Sequence, residues 1–170
     1  MKMKKQKGYR KHFFACLLCG VFMWAGVGMQ PLMADEAAKD ELYEIAKPMY
    51  EKAWELRRDA GDDAAQREAT VQAFRVAAEA GFPLAQRELA WCYMQGWGVE
   101  KNTEVGLRWL RQAAEQGCEQ SQYELGMRYV YGHDVAKNEA EARYWLQRAA
   151  KKGYPRAQRV LQALDKKKKK

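Results

Sequence analysis

The sequence predicts an all-α protein, a short α-solenoid of stacked helix-turn-helix units. Three observations predict it. A ten-residue stretch recurs at a fixed step of 36: AAEAGFPLAQ at 77–86, AAEQGCEQSQ at 113–122 and AAKKGYPRAQ at 149–158. Apolar residues such as Leu89, Tyr93, Trp109 and Leu110 return at helical spacing between the copies. Self-similarity at one constant period marks units that cannot bury an apolar face alone and therefore stack.

Taken in order, residues 1–34 carry six basic side chains, Lys2, Lys4, Lys5, Lys7, Arg10 and Lys11, and no acid. They lead into the apolar run FFACLLCGVFMWAGVG and then QPLMADE, the order of a cleaved export signal with Ala34 at the cleavage edge. Leu32, three places before the cut, is larger than the usual small residue. The alternative is an uncleaved anchor, although the run is short beside the roughly 20 residues that cross a bilayer. Cys19 follows the bulky Leu18 and Cys16 lies early in the run, so neither marks a lipoprotein. Both readings imply export. The expected mature chain is periplasmic or secreted, with no membrane span after cleavage.

Residues 35–165 are expected to form one domain. A short helix over 35–46 opens it, and Pro48, which lacks an N–H, breaks or kinks the chain. A divergent unit follows at 45–80, with Ala53, Trp54 and a turn AGDD at 60–63. Two clear units occupy 81–116 and 117–152, aligned on Gly81, Gly117 and Gly153. Each of these glycines sits where a helix must stop, in a left-handed conformation. Gly96 and Gly98 turn the chain inside a unit, Pro83 and Pro155 start helices, and Asn102 and Asn138 cap them. Small residues at 85, 90, 113 and 114 let helix backbones approach. Residues 153–165 form a capping helix, and 166–170 are a lysine tail.

The charge balance excludes a nucleic-acid domain. The whole chain is +8, but without the first 34 residues 24 Lys+Arg face 22 Asp+Glu. Removing the five tail lysines as well leaves a slight acidic excess, so the basicity lies at the ends and not on the fold. Two cysteines leave with the leader. Cys92 and Cys118 are set about 15 Å apart along the helix register, too far for a disulfide. Cys92 is therefore expected in the core, and Cys118 is the thiol to watch.

These positions together resemble the Sel1-like repeat, a relative of the tetratricopeptide repeat. Leu125, Gly126, Tyr129, Gly132, Val135, Ala142, Trp145, Ala149, Ala150 and Gly153 stand on its pattern in one unit. Leu89, Tyr93, Gly96, Gly98, Val99, Trp109, Ala113, Ala114 and Gly117 do so in the other. Ala90 and Asp134 depart at glycine positions, and Gly106 at an alanine position. The resemblance implies a right-handed solenoid whose first helices line a concave, ligand-receiving side.

Catalytic hardware is sparse. Ser121 is the only serine and matches Ala85 and Ala157, so its size explains it. His133 is the one histidine beyond the leader and sits in a turn. Neighbouring carboxylates such as Glu139 and Glu141 open a helix, where its dipole favours them. GWGVEKN lacks the lysine and hydroxyl of a phosphate loop. No enzyme, cofactor or metal is expected.

What remains is surface. Arg87, Trp91, Met94, Trp97, Tyr123, Met127 and Tyr131 are the candidate partner-binding residues, of types enriched in interface cores. Trp97, in a turn, is the leading exposed contact, while the alternative for several of the others is packing between adjacent helices. The expected role is a non-catalytic scaffold for a protein or peptide, with no specific nucleic acid. The lysine tail offers weak, salt-sensitive contact with anionic surfaces, and hence the alternative of a secreted adhesion protein. A cell-wall or β-lactam hydrolase is the third reading, disfavoured by the missing nucleophile.

Overall fold

Seven helices succeed one another without a strand among the residues that the computed structural model describes, 32–168 for the backbone and 43–166 for side chains. They are α1 (Leu32–Asp59), α2 (Ala64–Glu79), α3 (Pro83–Gln95), α4 (Thr103–Glu115), α5 (Glu119–Tyr131), α6 (Glu139–Lys151) and α7 (Pro155–Lys168). Each packs on its neighbours in sequence, as the solenoid reading requires. None is long and apolar enough to cross a membrane. Residues 1–31, and with them almost all of the leader reading, lie outside the described residues, as do the last two tail lysines.

The junctions repeat atom for atom. The N–H of Gly81 bonds to the carbonyl of Ala78 and that of Phe82 to Ala77, each at 3.0 Å. Gly117 and Cys118 make the same pair of bonds, and so do Gly153 and Tyr154. This pairing satisfies the last carbonyls of a helix and requires a left-handed residue between them. The glutamine closing each repeated stretch completes the junction. Gln86, Gln122 and Gln158 donate from Nε2 to the carbonyls of Ala78, Ala114 and Ala150, at 3.1, 2.9 and 3.5 Å. Gln86 and Gln122 are fully buried, so these bonds fix how each helix leaves its predecessor.

Caps set the other ends. Asn102 accepts from the Val105 N–H at 3.0 Å, and Asn138 from Ala140 and Glu141 at 3.0 and 3.2 Å. Pro83 opens α3 in its first turn. Asp134 takes the left-handed conformation (φ 60) at the place of Gly98 (φ 66). Aspartate tolerates that region better than most side chains.

The expected break at Pro48 does not occur. The chain passes through Pro48 as one helix from 32 to 59. Packing on both sides outweighs the lost hydrogen bond: Ala46 and Ala53 are fully buried. The Tyr43 and Tyr50 rings lie 4.8 and 5.0 Å from Phe82. The 45–80 unit is thus the later half of α1 with α2, joined by the turn at 60–63.

Three successive cores fill the stack. Phe74, Val71, Leu89 and Cys92 anchor the first, Leu110, Leu125 and Trp145 the second, and Leu146, Ala149 and Ala157 the third. Cys92 is fully buried, and burial pushes its thiol up to about 12. A thiol near 8.5 when unfolded but near 12 when folded contributes stability that is complete below the unfolded value. That contribution is lost as pH rises through the folded one. Urea unfolding is therefore expected to show wild type losing more stability than Cys92→Ala between neutral pH and pH ~10. Equal losses would contradict the assignment. Cys118 is also buried, at the start of α5, with its Sγ 3.4 Å from Gln120 Oε1. Both thiols are free, and Cys118, the thiol to watch in the sequence, is itself buried.

Candidate functional site

The odd-numbered helices α1, α3 and α5 reach one another through long side chains along one face. Arg57 of α1 donates to Glu88 of α3 at 2.6 Å, and Arg87 of α3 bonds both to Glu88 and, at 3.3 Å, to Glu124 of α5. Arg128 of α5 donates back to the Met94 sulfur of α3 and pairs with Asp134. The charges alternate along this chain, which makes the face neutral. Burial works against the Arg87 cation, but Glu88 and Glu124 outweigh it, and its pKa is raised. Burial raises the Glu124 carboxyl above its ordinary value, against the pull of Arg87.

At the α1–α3 end the guanidinium of Arg57 lies among three tryptophans. Its centre is 4.9 Å from the Trp54 ring, 4.5 Å from Trp91 and 5.4 Å from Trp97. Such contacts favour a cation over the electron-rich ring face, and they hold the indoles in fixed positions. Trp54 and Trp91 each remain 39% exposed. A shallow cleft lined by Glu51, Trp54, Glu55, Arg57 and Arg58 opens beside them. The cluster presents two rigid aromatic faces around a charge that is already paired, the kind of surface that anchors a polypeptide at low entropic cost.

The seven sequence candidates separate on this face. Arg87, Trp91 and Trp97 belong to the cluster or its ion-pair chain, while Tyr131 lies apart, 62% exposed beside His133. Met94 is corrected: only 6% exposed, it packs with Ala90, Leu110 and Leu125 because its place on α3 meets the second core. Trp97 is corrected as the leading exposed contact. It is half-buried against the first core, with its ring 6.1 Å from Trp91. Tyr123 and Met127 pack between α5 and α7, and the Tyr123 ring is 5.1 Å from Tyr154. Ser121 is fully buried, consistent with selection for size.

Sequence reasoning missed Trp54, Arg57 and the buried place of Glu88. Trp54 and Arg57 fall in the divergent unit, and one period later their places are taken by Ala90 and Tyr93, so the repeat pattern does not single them out. Their spacing of three, which places two residues on one helix face, was the available signal. Nothing on α3 itself marks Glu88 as buried, because what encloses it comes from a neighbouring helix, with Arg57 of α1 at 2.6 Å.

Comparison with known proteins matches the Sel1 repeat family at residues 83–118 and 119–154, two consecutive repeats. No curated protein matches the chain. Among solved structures it is similar to a Sel1 repeat protein from Oxalobacter formigenes, at 30% identity and TM-score 0.60, over 66% of this chain and 45% of that one. It is also similar to c5321, described as a protective antigen present in uropathogenic Escherichia coli strains and displaying an SLR fold. There the identity is 28% and the TM-score 0.50, over 71% of this chain and 24% of that one. The chain spans less than half the length of either structure. Its period, its junctions and these likenesses agree: residues 83–154 are two consecutive Sel1 repeats, set in a chain similar to Sel1 repeat proteins of known structure.

Proposed function

We propose that this chain is an exported, non-catalytic interaction scaffold that receives a protein or peptide on the face formed by α1, α3 and α5. Sel1 repeat proteins generally mediate protein–protein interaction, which supports the class of partner. The observation that carries the site is the tryptophan cluster: Trp54 and Trp91 stay substantially exposed while Arg57 holds them in place. Indoles left this open contribute less to folding than buried ones, and aromatic anchors of this kind dominate interface energetics. Arg87 and Glu124 flank them and set register by charge. Export rests on the basic and apolar order of residues 1–34.

Photo-crosslinking from position 91 in living cells, with fractionation of the envelope, tests the reading. The expected result is a discrete adduct in the exported fraction, lost when Trp54→Ala is added but retained with Tyr144→Ala, an exposed tyrosine on the even-numbered side. An adduct insensitive to Trp54 would remove the cluster from the site. Protein confined to the cytoplasm would remove export.

A further inference from the structure

The charge of the chain is graded along the stack. Residues 35–63, most of α1 and the turn after it, hold ten acids and five bases. Residues 64–141 hold eleven acids and eight bases, and 142–170 one acid and eleven bases. The near-neutral balance of the fold is thus an average over an acidic body and a basic end, and that end includes folded residues as well as the tail. Its single acid, Asp165, pairs with Arg143 of α6 at 2.5 Å. Of the acids that open α6, Glu139 also pairs with Arg143 and Glu141 accepts from Trp145. On α7, Ala157, Val160, Leu161 and Leu164 face the third core. Arg156, Arg159, Ala163 and Lys166 recur at steps of three and four and share another face, where all four are exposed. Lys151 stands exposed at the end of α6, just before this helix. Among the described residues none of these four bases has an ion-pair partner, since the pairs at this end belong to Arg143.

We propose that this basic end docks the chain on an anionic lipid bilayer, with the exposed face of α7 lying along the surface and the tail adding to it. From Arg156 to Lys166 that face is about 15 Å long, and no acid stands on it. A cluster of Lys and Arg on an amphipathic helix is the pattern that anionic headgroups attract. The lysine ammonium that dominates the tail is a point charge without the planar fork of arginine, suited to a diffuse field more than to one fixed phosphate. A plane touches the end helix alone. Packed helices lie about 9 Å apart, close to the Debye length at physiological salt, so acids farther along the stack are screened from a surface that meets α7. A long polyanion fits less well, because any length that leaves α7 along the stack meets the acidic body. The same gradient sets orientation, since the acidic α1 end is repelled by the surface that attracts α7. The tryptophan cluster, on α1 and α3, then lies at the end away from lipid. The inference does not rest on that cluster.

Vesicle sedimentation and photo-crosslinking on the purified chain test it, with vesicles of phosphatidylcholine alone or with phosphatidylglycerol added. A photoreactive residue at position 163 is expected to form phosphatidylglycerol adducts, identified by mass. One at position 68, exposed on α2, is expected to form none. Arg156→Glu with Arg159→Glu should weaken binding to the anionic vesicles by about tenfold or more, although the tail is intact. Arg156→Lys with Arg159→Lys keeps the charge and should bind as wild type does. Added salt should release the wild type. Both positions are exposed, and circular dichroism checks that helix content is unchanged. Residues 1–34 are the same in every variant, so their own affinity for lipid cannot produce these differences. Adducts at 163 that form equally with neutral vesicles would overturn the inference. So would a double charge reversal that binds as wild type does, which returns the contact to the tail or to residues 1–34. Loss of binding in the lysine variant would mean a fixed phosphate site in place of a surface. Failure to bind anionic vesicles at low salt would also overturn it, and retention on duplex DNA in that case would assign the basic end to nucleic acid.

Discussion

Phe74→Ala is expected to destabilise the protein by about 3–5 kcal/mol, the range for deleting a large aromatic from a packed core. Phe74 is fully buried on α2 and meets α1 through two rings, Tyr50 and Trp54, each 6.0 Å away. The divergent unit has few other large side chains to hold it. Ala46, Ala53, Ala77 and Ala78 bring the helices close, but each buries little area. The cavity left by the ring should therefore loosen α1 first. Urea unfolding followed by tryptophan fluorescence and by far-ultraviolet circular dichroism would show it, with the fluorescence transition moving earlier. A loss of less than about 1 kcal/mol, below the range for an aromatic deletion, would mean that α1 is held by something other than this core.

The second large effect is expected at Glu88. Its carboxylate, nearly enclosed, accepts from both Arg57 and Arg87. Glu88→Ala leaves Arg57 among three indoles with no carboxylate and Arg87 with Glu124 alone at 3.3 Å. Breaking a buried pair by removing one partner costs about 3–5 kcal/mol. The two arginine side chains are still 21% and 26% exposed, which discounts the cost to just below that range, about 2–3 kcal/mol. Glu88→Gln keeps an acceptor and should recover part of the loss. Replacing Arg57 by methionine in the same background should recover more, because it removes the stranded charge. Denaturant titration of wild type, Glu88→Ala, Arg57→Met and the double variant closes the cycle. If Glu88→Ala proves neutral, water and Glu124 already satisfy both cations, and the ion-pair chain does not order the tryptophans.

The two predictions meet at Trp54, which borders both Phe74 and Arg57. The proposed binding surface is therefore the outer layer of the first core. A partner that packs on Trp54 and Trp91 would be expected to stabilise α1, the least repeat-like part of the fold, by binding the folded form alone.

Period, junctions, caps and fold class were legible in the sequence because each is local. A glycine three residues after an alanine pair, or an asparagine before a helix, acts through its own backbone or its next turn. The solenoid follows once these local rules recur at 36 residues. The interaction face was less legible. Trp91 and Arg87 could be named as surface types, but whether Met94 faces solvent or core depends on a neighbouring helix. Pro48 shows the same limit: its local preference is to end a helix, and distant contacts with Phe82 carry α1 through it.

Ala90 and Gly106 show what only the tertiary structure decided. Read along the chain, they are two separate departures from the repeat. In space they are partners: a Cβ on Gly106 would lie 2.8 Å from the carbonyl oxygen of Ala90 and 2.6 Å from the Met94 side chain. One period later the roles reverse. A Cβ on Gly126 would lie 2.7 Å from Leu146 and 3.3 Å from the carbonyl oxygen of Ala142. Each helix crossing thus holds one glycine and one alanine, on opposite helices in the two units. The sequence by itself determined that small residues stand at these places and that helices pair there. That each crossing has room for one Cβ, so that a glycine on either helix serves, is a property of the gap between two backbones and belongs to neither residue alone.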